Sequence, residues 1–106
     1  MEYFITGTQV YGPTTPESDL DIVILKKDAT DILDFLHSFG LETYQTEKQK
    51  MYDEGGFYFD ILGIPINIVI AKDRKDFDTW KRRTEKMKEF EPIKDREERL
   101  DFFQSL

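Results

Sequence analysis

Two neighbouring stretches decide the fold: Gly7-Thr8-Gln9-Val10-Tyr11-Gly12, and then Ser18-Asp19-Leu20-Asp21-Ile22-Val23-Ile24-Leu25. The second alternates polar with apolar residues and then becomes wholly apolar, the pattern of a strand buried at its far end. Alternate side chains of a strand share a face, so Asp19 and Asp21 project together. Like charges held a few ångströms apart repel. A hard cation, Mg²⁺ or Mn²⁺, removes that cost and prefers carboxylate oxygens together with phosphates and water. Upstream, the short β-prone run Tyr3-Phe4-Ile5-Thr6 stops at Gly7. Glycine lets a backbone approach a phosphate closely, and the Thr8 hydroxyl adds a donor. Residues 7–18 hold two Gly and two Pro, a composition that predicts a turn or loop between the two strands.

Outward from this segment, the periodicity predicts a helix from about Asp28 to Phe39. Ile32, Leu33, Leu36 and Phe39 lie on one face, Asp28 can cap the start and Gly40 can close the end. Residues 41–54 are polar and receive no assignment. Phe57 to Leu62 and Ile64 to Ala71 read as a hairpin turning near Gly63. A further helix is expected from about Phe77 to Phe90, with Phe77, Trp80, Thr84, Met87 and Phe90 on one face and Asp76 near the N-cap. Asp95-Arg96-Glu97-Glu98 resembles a capping box that opens a last helix carrying Leu100, Phe103 and Leu106. The order β, β, α, β, β, α, α predicts an α+β fold: a sheet of about four strands with helices on one side.

The 106-residue length predicts a single domain, with a core over about 3–71 and C-terminal helices over about 76–106. The net charge is -7, and it is unevenly spread. Residues 1–71 carry 12 acidic and 4 basic side chains, whereas residues 72–106 carry 10 acidic and 11 basic. Bulk coating of nucleic acid is thereby disfavoured. Aromatics at 14% supply a core and argue against a disordered acidic tail. The absence of cysteine removes disulfides, zinc–thiolate sites and thiol nucleophiles, and fits a cytoplasmic location. No apolar run approaches the ~18 residues of a membrane span, and the N-terminus lacks a signal peptide's basic start.

The combination of Gly7-Thr8, a second glycine at Gly12 and Ser18-Asp19-Leu20-Asp21 ahead of an apolar strand resembles the signature of the nucleotidyltransferase (DNA polymerase β-like) superfamily, in particular its small, minimal members. The usual serine is replaced by Thr8, which keeps the hydroxyl. The motif covers about residues 3–25, and the β-β-α-β-β order extends the likeness to about residue 71. Ile66-Asn67-Ile68-Val69-Ile70, with Trp80 and Thr84-Glu85-Lys86-Met87, is similar to small, mostly phage-encoded proteins assigned to the same group. The resemblance implies a minimal nucleotidyltransferase fold with a mixed sheet and a C-terminal helical tail. It also implies a metal-dependent nucleotidyltransferase that moves a nucleoside monophosphate from an NTP to an acceptor hydroxyl, acting in the cytoplasm, or in the host cytoplasm if phage-encoded. Asp19 and Asp21 would hold the metal, and Gly7, Thr8 and Ser18 would contact the nucleotide.

Active members of that superfamily carry a third aspartate on a neighbouring strand. The residue in that position here is Asn67, placed with Asp19 and Asp21 as the third member of the catalytic set. Its amide oxygen can ligate a metal but takes no proton at neutral pH. Asp60 could face the site only if Phe57, Phe59 and Ile61 face the core. The departure at Asn67 opens an alternative: a catalytically impaired binding module for a nucleotide or a protein partner, including a second copy of the chain. Other candidates are weaker. His37 reads as a helix-surface residue and Trp80 as core rather than a base-stacking platform. Lys81-Arg82-Arg83 reads as a solvated helix face, with Arg82 or Arg83 as alternative phosphate contacts, as are Lys72 and Arg74.

Overall fold

The computed structural model describes residues 1–14, 19–46 and 55–106. The elements are β1 (Tyr3–Thr6), α1 (Thr8–Tyr11), β2 (Leu20–Leu25), a 3₁₀ turn (Lys26–Asp28), α2 (Ala29–Ser38), β3 (Tyr44–Thr46), β4 (Gly56–Ile61), β5 (Ile64–Ala71), α3 (Arg74–Met87) and α4 (Arg96–Ser105). The sheet has five strands in the order β1-β2-β5-β4-β3. β2 and β5 run parallel and the other pairs antiparallel, so the sheet is mixed.

The pleat explains why β2 becomes wholly apolar. Val23 and Leu25 face one side of the sheet, where they pack with Val69, Ala71, Phe77, Trp80, Met87 and Phe103. Ile24 faces the other, with Ile68, Phe57, Phe59 and Leu36. A central strand buried on both faces needs apolar residues at consecutive positions. The expected helical layer on one side is formed by α1, α3 and α4, and α2 covers the opposite face through Ile32, Leu33 and Leu36.

Several boundaries differ from the sequence reading. A fifth strand, β3, lies in the stretch left unassigned, and it is only three residues long. The glycine- and proline-bearing segment after β1 holds one helical turn, α1, because the Gly7 carbonyl accepts from Val10 N at 2.9 Å and Tyr11 N at 3.3 Å. α3 begins earlier than expected: Asp73, not Asp76, is its N-cap, accepting from Asp76 N at 2.8 Å. It also ends at Met87, which leaves Phe90 beyond the helix and half-exposed, edge-on to Phe102 at 5.0 Å. Asp28 occupies the N-cap of α2 but makes no capping bond there, and Phe39 stands exposed at the other end. Gly40, at φ 76°, closes α2 as anticipated. Asp95 caps α4 by accepting from Glu98 N at 2.9 Å, as the capping-box pattern indicates.

Candidate functional site

One row of residues crosses the whole sheet. Thr6 pairs with Asp21, Asp21 with Asn67, Asn67 with Tyr58, and Tyr58 with Tyr44. Directly paired residues share a face, so all five side chains emerge on the sheet face that α1, α3 and α4 partly cover, with Tyr58 and Tyr44 left exposed. Asp19, just ahead of β2, stands exposed at the rim of the same cleft. The cleft has a volume of about 280 Å³. It is lined by Thr6, Asp21, Asn67 and Val69 of the sheet, by Gly7, Thr8 and Tyr11 after β1, and by Trp80 of α3 with Arg96, Arg99 and Leu100 of α4.

Gly7 is required here for two reasons. Its φ of 79° with ψ of -169° lies where residues with a side chain are strained. A Cβ at this position would also stand 2.2 Å from Asp21 Oδ2. The bare backbone thus passes directly over the carboxylate. Beneath it, Thr6 and Thr84 join Oγ1 to Oγ1 at 2.7 Å, both buried. Thr84 spends its proton on the Trp80 carbonyl at 2.8 Å, so Thr6 donates to Thr84. This hydroxyl chain ties β1 to α3 directly under the site.

Burial pushes the Asp21 carboxyl up to about 6; the Asn67 side chain, hydrogen-bonded to it, opposes the rise, and the nearby Asp19 charge adds to it. Two carboxylates, one partly desolvated and one at the rim, with an amide beside them, suit a hard divalent cation that keeps waters and binds phosphates. Asp19 and Asp21 are the residues able to hold it, with Asn67 able to add its amide oxygen. Among the described residues no cluster of three His, Cys, Asp or Glu surrounds them. Asn67, on the neighbouring parallel strand β5, pairs with Asp21. Asp60 is on the face of Asn67, since it pairs with Pro65, and Phe57 and Phe59 face the opposite core. It is exposed and does not line the cleft, however. Ser18 lies outside the described residues.

The cationic residues differ from the sequence expectation. Lys81, Arg82 and Arg83 do not line the cleft, and Arg82 instead donates to the Leu106 carbonyl at 3.3 Å. Lys72 and Arg74 flank the far end of β2 beside Leu25, roughly 15 Å along the strands from Asp21. Arg74 is engaged with Glu2 and Asp78. The cations that reach the cleft are Arg96 and Arg99, with Arg99 also donating to the Ile93 carbonyl at 3.0 Å. Their three-residue spacing on a capped helix was the only sequence signal for a shared face. His37 is on the surface of α2, bonded to Thr43 Oγ1 at 3.0 Å. Trp80 is core, packed 5.2 Å from Phe103, while one edge meets the cleft.

No known family's sequence profile and no curated protein sequence matches this chain. Among solved structures, the fold is similar to the crystal structure of Cid1 poly(U) polymerase, with a TM-score of 0.55 and 15% identity. The chain thus has a mixed α+β fold similar to part of that polymerase. The match covers 82% of this chain and 27% of that one, so this chain spans about a quarter of that polymerase. At this identity the likeness concerns the fold alone. Among the described residues no helix is long and apolar enough to cross a membrane.

Proposed function

We propose that this chain is a metal-dependent nucleotidyltransferase core, which binds a nucleoside triphosphate with Mg²⁺ or Mn²⁺ and transfers its nucleoside monophosphate to an acceptor hydroxyl. One observation carries the reading: Asp19 and Asp21 share a cleft with the Gly7–Thr8 turn and with Arg96 and Arg99. The two carboxylates and two guanidinium groups balance in charge. A bound dication leaves the cleft positive, which favours a multiply charged anion.

In this reading Asp19 and Asp21 hold the cation, which would neutralise phosphate charge as the transfer proceeds. Gly7 and Thr8 receive the terminal phosphates, with Arg96 and Arg99 in the same cleft. The acceptor oxygen forms a bond to the α-phosphorus, and the bond from that phosphorus to the bridging oxygen breaks. Pyrophosphate leaves with the electron pair. The acceptor proton passes to water, because the Asn67 amide takes none.

Asn67 also favours a second reading, in which the cleft binds a nucleotide or a partner without turnover. Calorimetric titration with Mg²⁺ and each NTP tests the site itself. Incubation with α-labelled NTP and a cell lysate tests transfer, and binding without pyrophosphate release supports the second reading. No binding, with Asp19→Asn and Asp21→Asn behaving as wild type, overturns both. Asn67→Asp is expected to raise Mg²⁺ affinity severalfold. Unchanged affinity would remove Asn67 from the metal's surroundings.

A further inference from the structure

The row across the sheet continues past the cleft onto an open aromatic surface. Tyr58 and Tyr44 stack with ring centroids 5.2 Å apart and planes 28° from parallel. Each remains close to half-exposed, at 44% and 46%. With strands ~4.8 Å apart, Tyr58 lies roughly 10 Å from Asp21 and Tyr44 roughly 14 Å. Tyr44 is fixed by donating its hydroxyl to Glu42 Oε2 at 2.7 Å. Asp60 lies on the same face, near enough to act on Tyr44 electrostatically.

Their place relative to the cleft gives them a use. The Gly7–Thr8 turn follows β1, on one side of Asp21 in the sheet, and Asn67, Tyr58 and Tyr44 lie on the other. In an in-line displacement the attacking oxygen enters opposite the leaving group. If pyrophosphate departs toward Gly7 and Thr8, the acceptor enters over Asn67, across the tyrosines. This step rests on the nucleotidyltransferase reading given above.

The chemistry of the shelf narrows the acceptor. Its two rings stand close to half-exposed, whereas small molecules are taken up in concave sites. Its carboxylates, Glu42 and Asp60, repel a phosphate backbone, and among the described residues no cation forms part of the shelf. Arginine and lysine, by contrast, stack on tyrosine faces and pair with carboxylates. We propose that the Tyr58–Tyr44 shelf, with Glu42 and Asp60, is the docking surface for a basic peptide segment of a protein acceptor, whose hydroxyl side chain it delivers past Asn67 to the cleft.

The test titrates the intact chain with a synthetic arginine-rich peptide bearing one serine, and separately with single-stranded oligouridylate, while NMR follows the ring signals of Tyr44 and Tyr58. The peptide is expected to shift both rings, with an affinity that falls as salt rises. Tyr58→Ala is expected to weaken it about tenfold, consistent with a cation over an aromatic face. Tyr58→Phe, which keeps the ring, retains binding, and the double variant Glu42→Gln, Asp60→Asn flattens the salt dependence. Ring shifts with oligouridylate, or peptide shifts that survive Tyr58→Ala in a folded protein, overturn the proposal. A parallel titration of wild type with Mg²⁺ and NTP separates the two readings. Peptide on the shelf without nucleotide in the cleft overturns the acceptor role; nucleotide in the cleft without peptide on the shelf overturns the shelf and leaves the nucleotide site standing.

Discussion

Gly7 and Asp21 form a single unit, because the backbone of one occupies the space above the carboxylate of the other. Gly7→Ala is expected to lower stability by about 1–3 kcal/mol through backbone strain alone, and to displace the Asp21 carboxylate. Urea unfolding should report the first effect and loss of Mg²⁺ affinity the second. The Asp21 carboxyl also makes stability depend on pH. Its value is about 6 in the fold against 3.8 as the ordinary value. Below both values the group is protonated in both states and costs nothing. As pH rises between them the unfolded chain ionises while the folded chain keeps its proton, so stability falls, and above about 6 the loss is complete. The loss is of the order of 2–3 kcal/mol, at about 1.4 kcal/mol per pK unit. Asp21→Asn should remove this slope, leaving the variant more stable than wild type at pH 7 in EDTA. Urea midpoints measured from pH 4 to pH 7 check it, and parallel wild-type and variant profiles would contradict it.

Among the elements, α4 links packing to the site. Phe103 is 1% exposed and sits 5.2 Å from Trp80 and 6.0 Å from Tyr11, while Arg96 and Arg99, two turns and one turn earlier, line the cleft. Phe103→Ala is expected to cost about 3–5 kcal/mol and to shift the Trp80 emission. It should also weaken NTP binding more than Mg²⁺ binding, because the guanidinium wall loosens while Asp19 and Asp21 keep their strand. Calorimetry with each ligand separates the two effects. This coupling was not legible in the sequence. The capping pattern at Asp95 announced where α4 starts, but which of its faces meets the cleft is decided by Phe103 against Trp80, a tertiary contact. The same holds for Lys81 and Arg82: they form a conspicuous basic run, yet Trp80, Thr84 and Met87 claim the buried face of α3 and turn both outward. The nearness of Asp19, Asp21 and Gly7 was legible because they lie within fifteen residues of one another in the sequence, so their meeting is nearly local. α1 was hidden by glycine and proline content, and β3 by its three-residue length.

For the molecule as a whole, an α+β sheet was foreseeable from the order of elements and its mixed character from the family resemblance, but its strand-by-strand register was not. The Asp21–Asn67 pairing depends on β2 and β5 lying side by side in parallel, with α2 and the β3–β4 hairpin between them in the chain. Parallel neighbours need such a crossover. That arrangement has a kinetic meaning. Pairings distant in sequence form only after loop-closure entropy has been overcome, which slows folding. No local fragment therefore contains the candidate site: the segment bearing Asp21 and the segment bearing Asn67 meet only when the sheet closes. During synthesis, nucleotide protection against proteolysis should be absent from ribosome-held chains until β5 and then α4 have emerged, so acquisition of ligand becomes a report on completed folding.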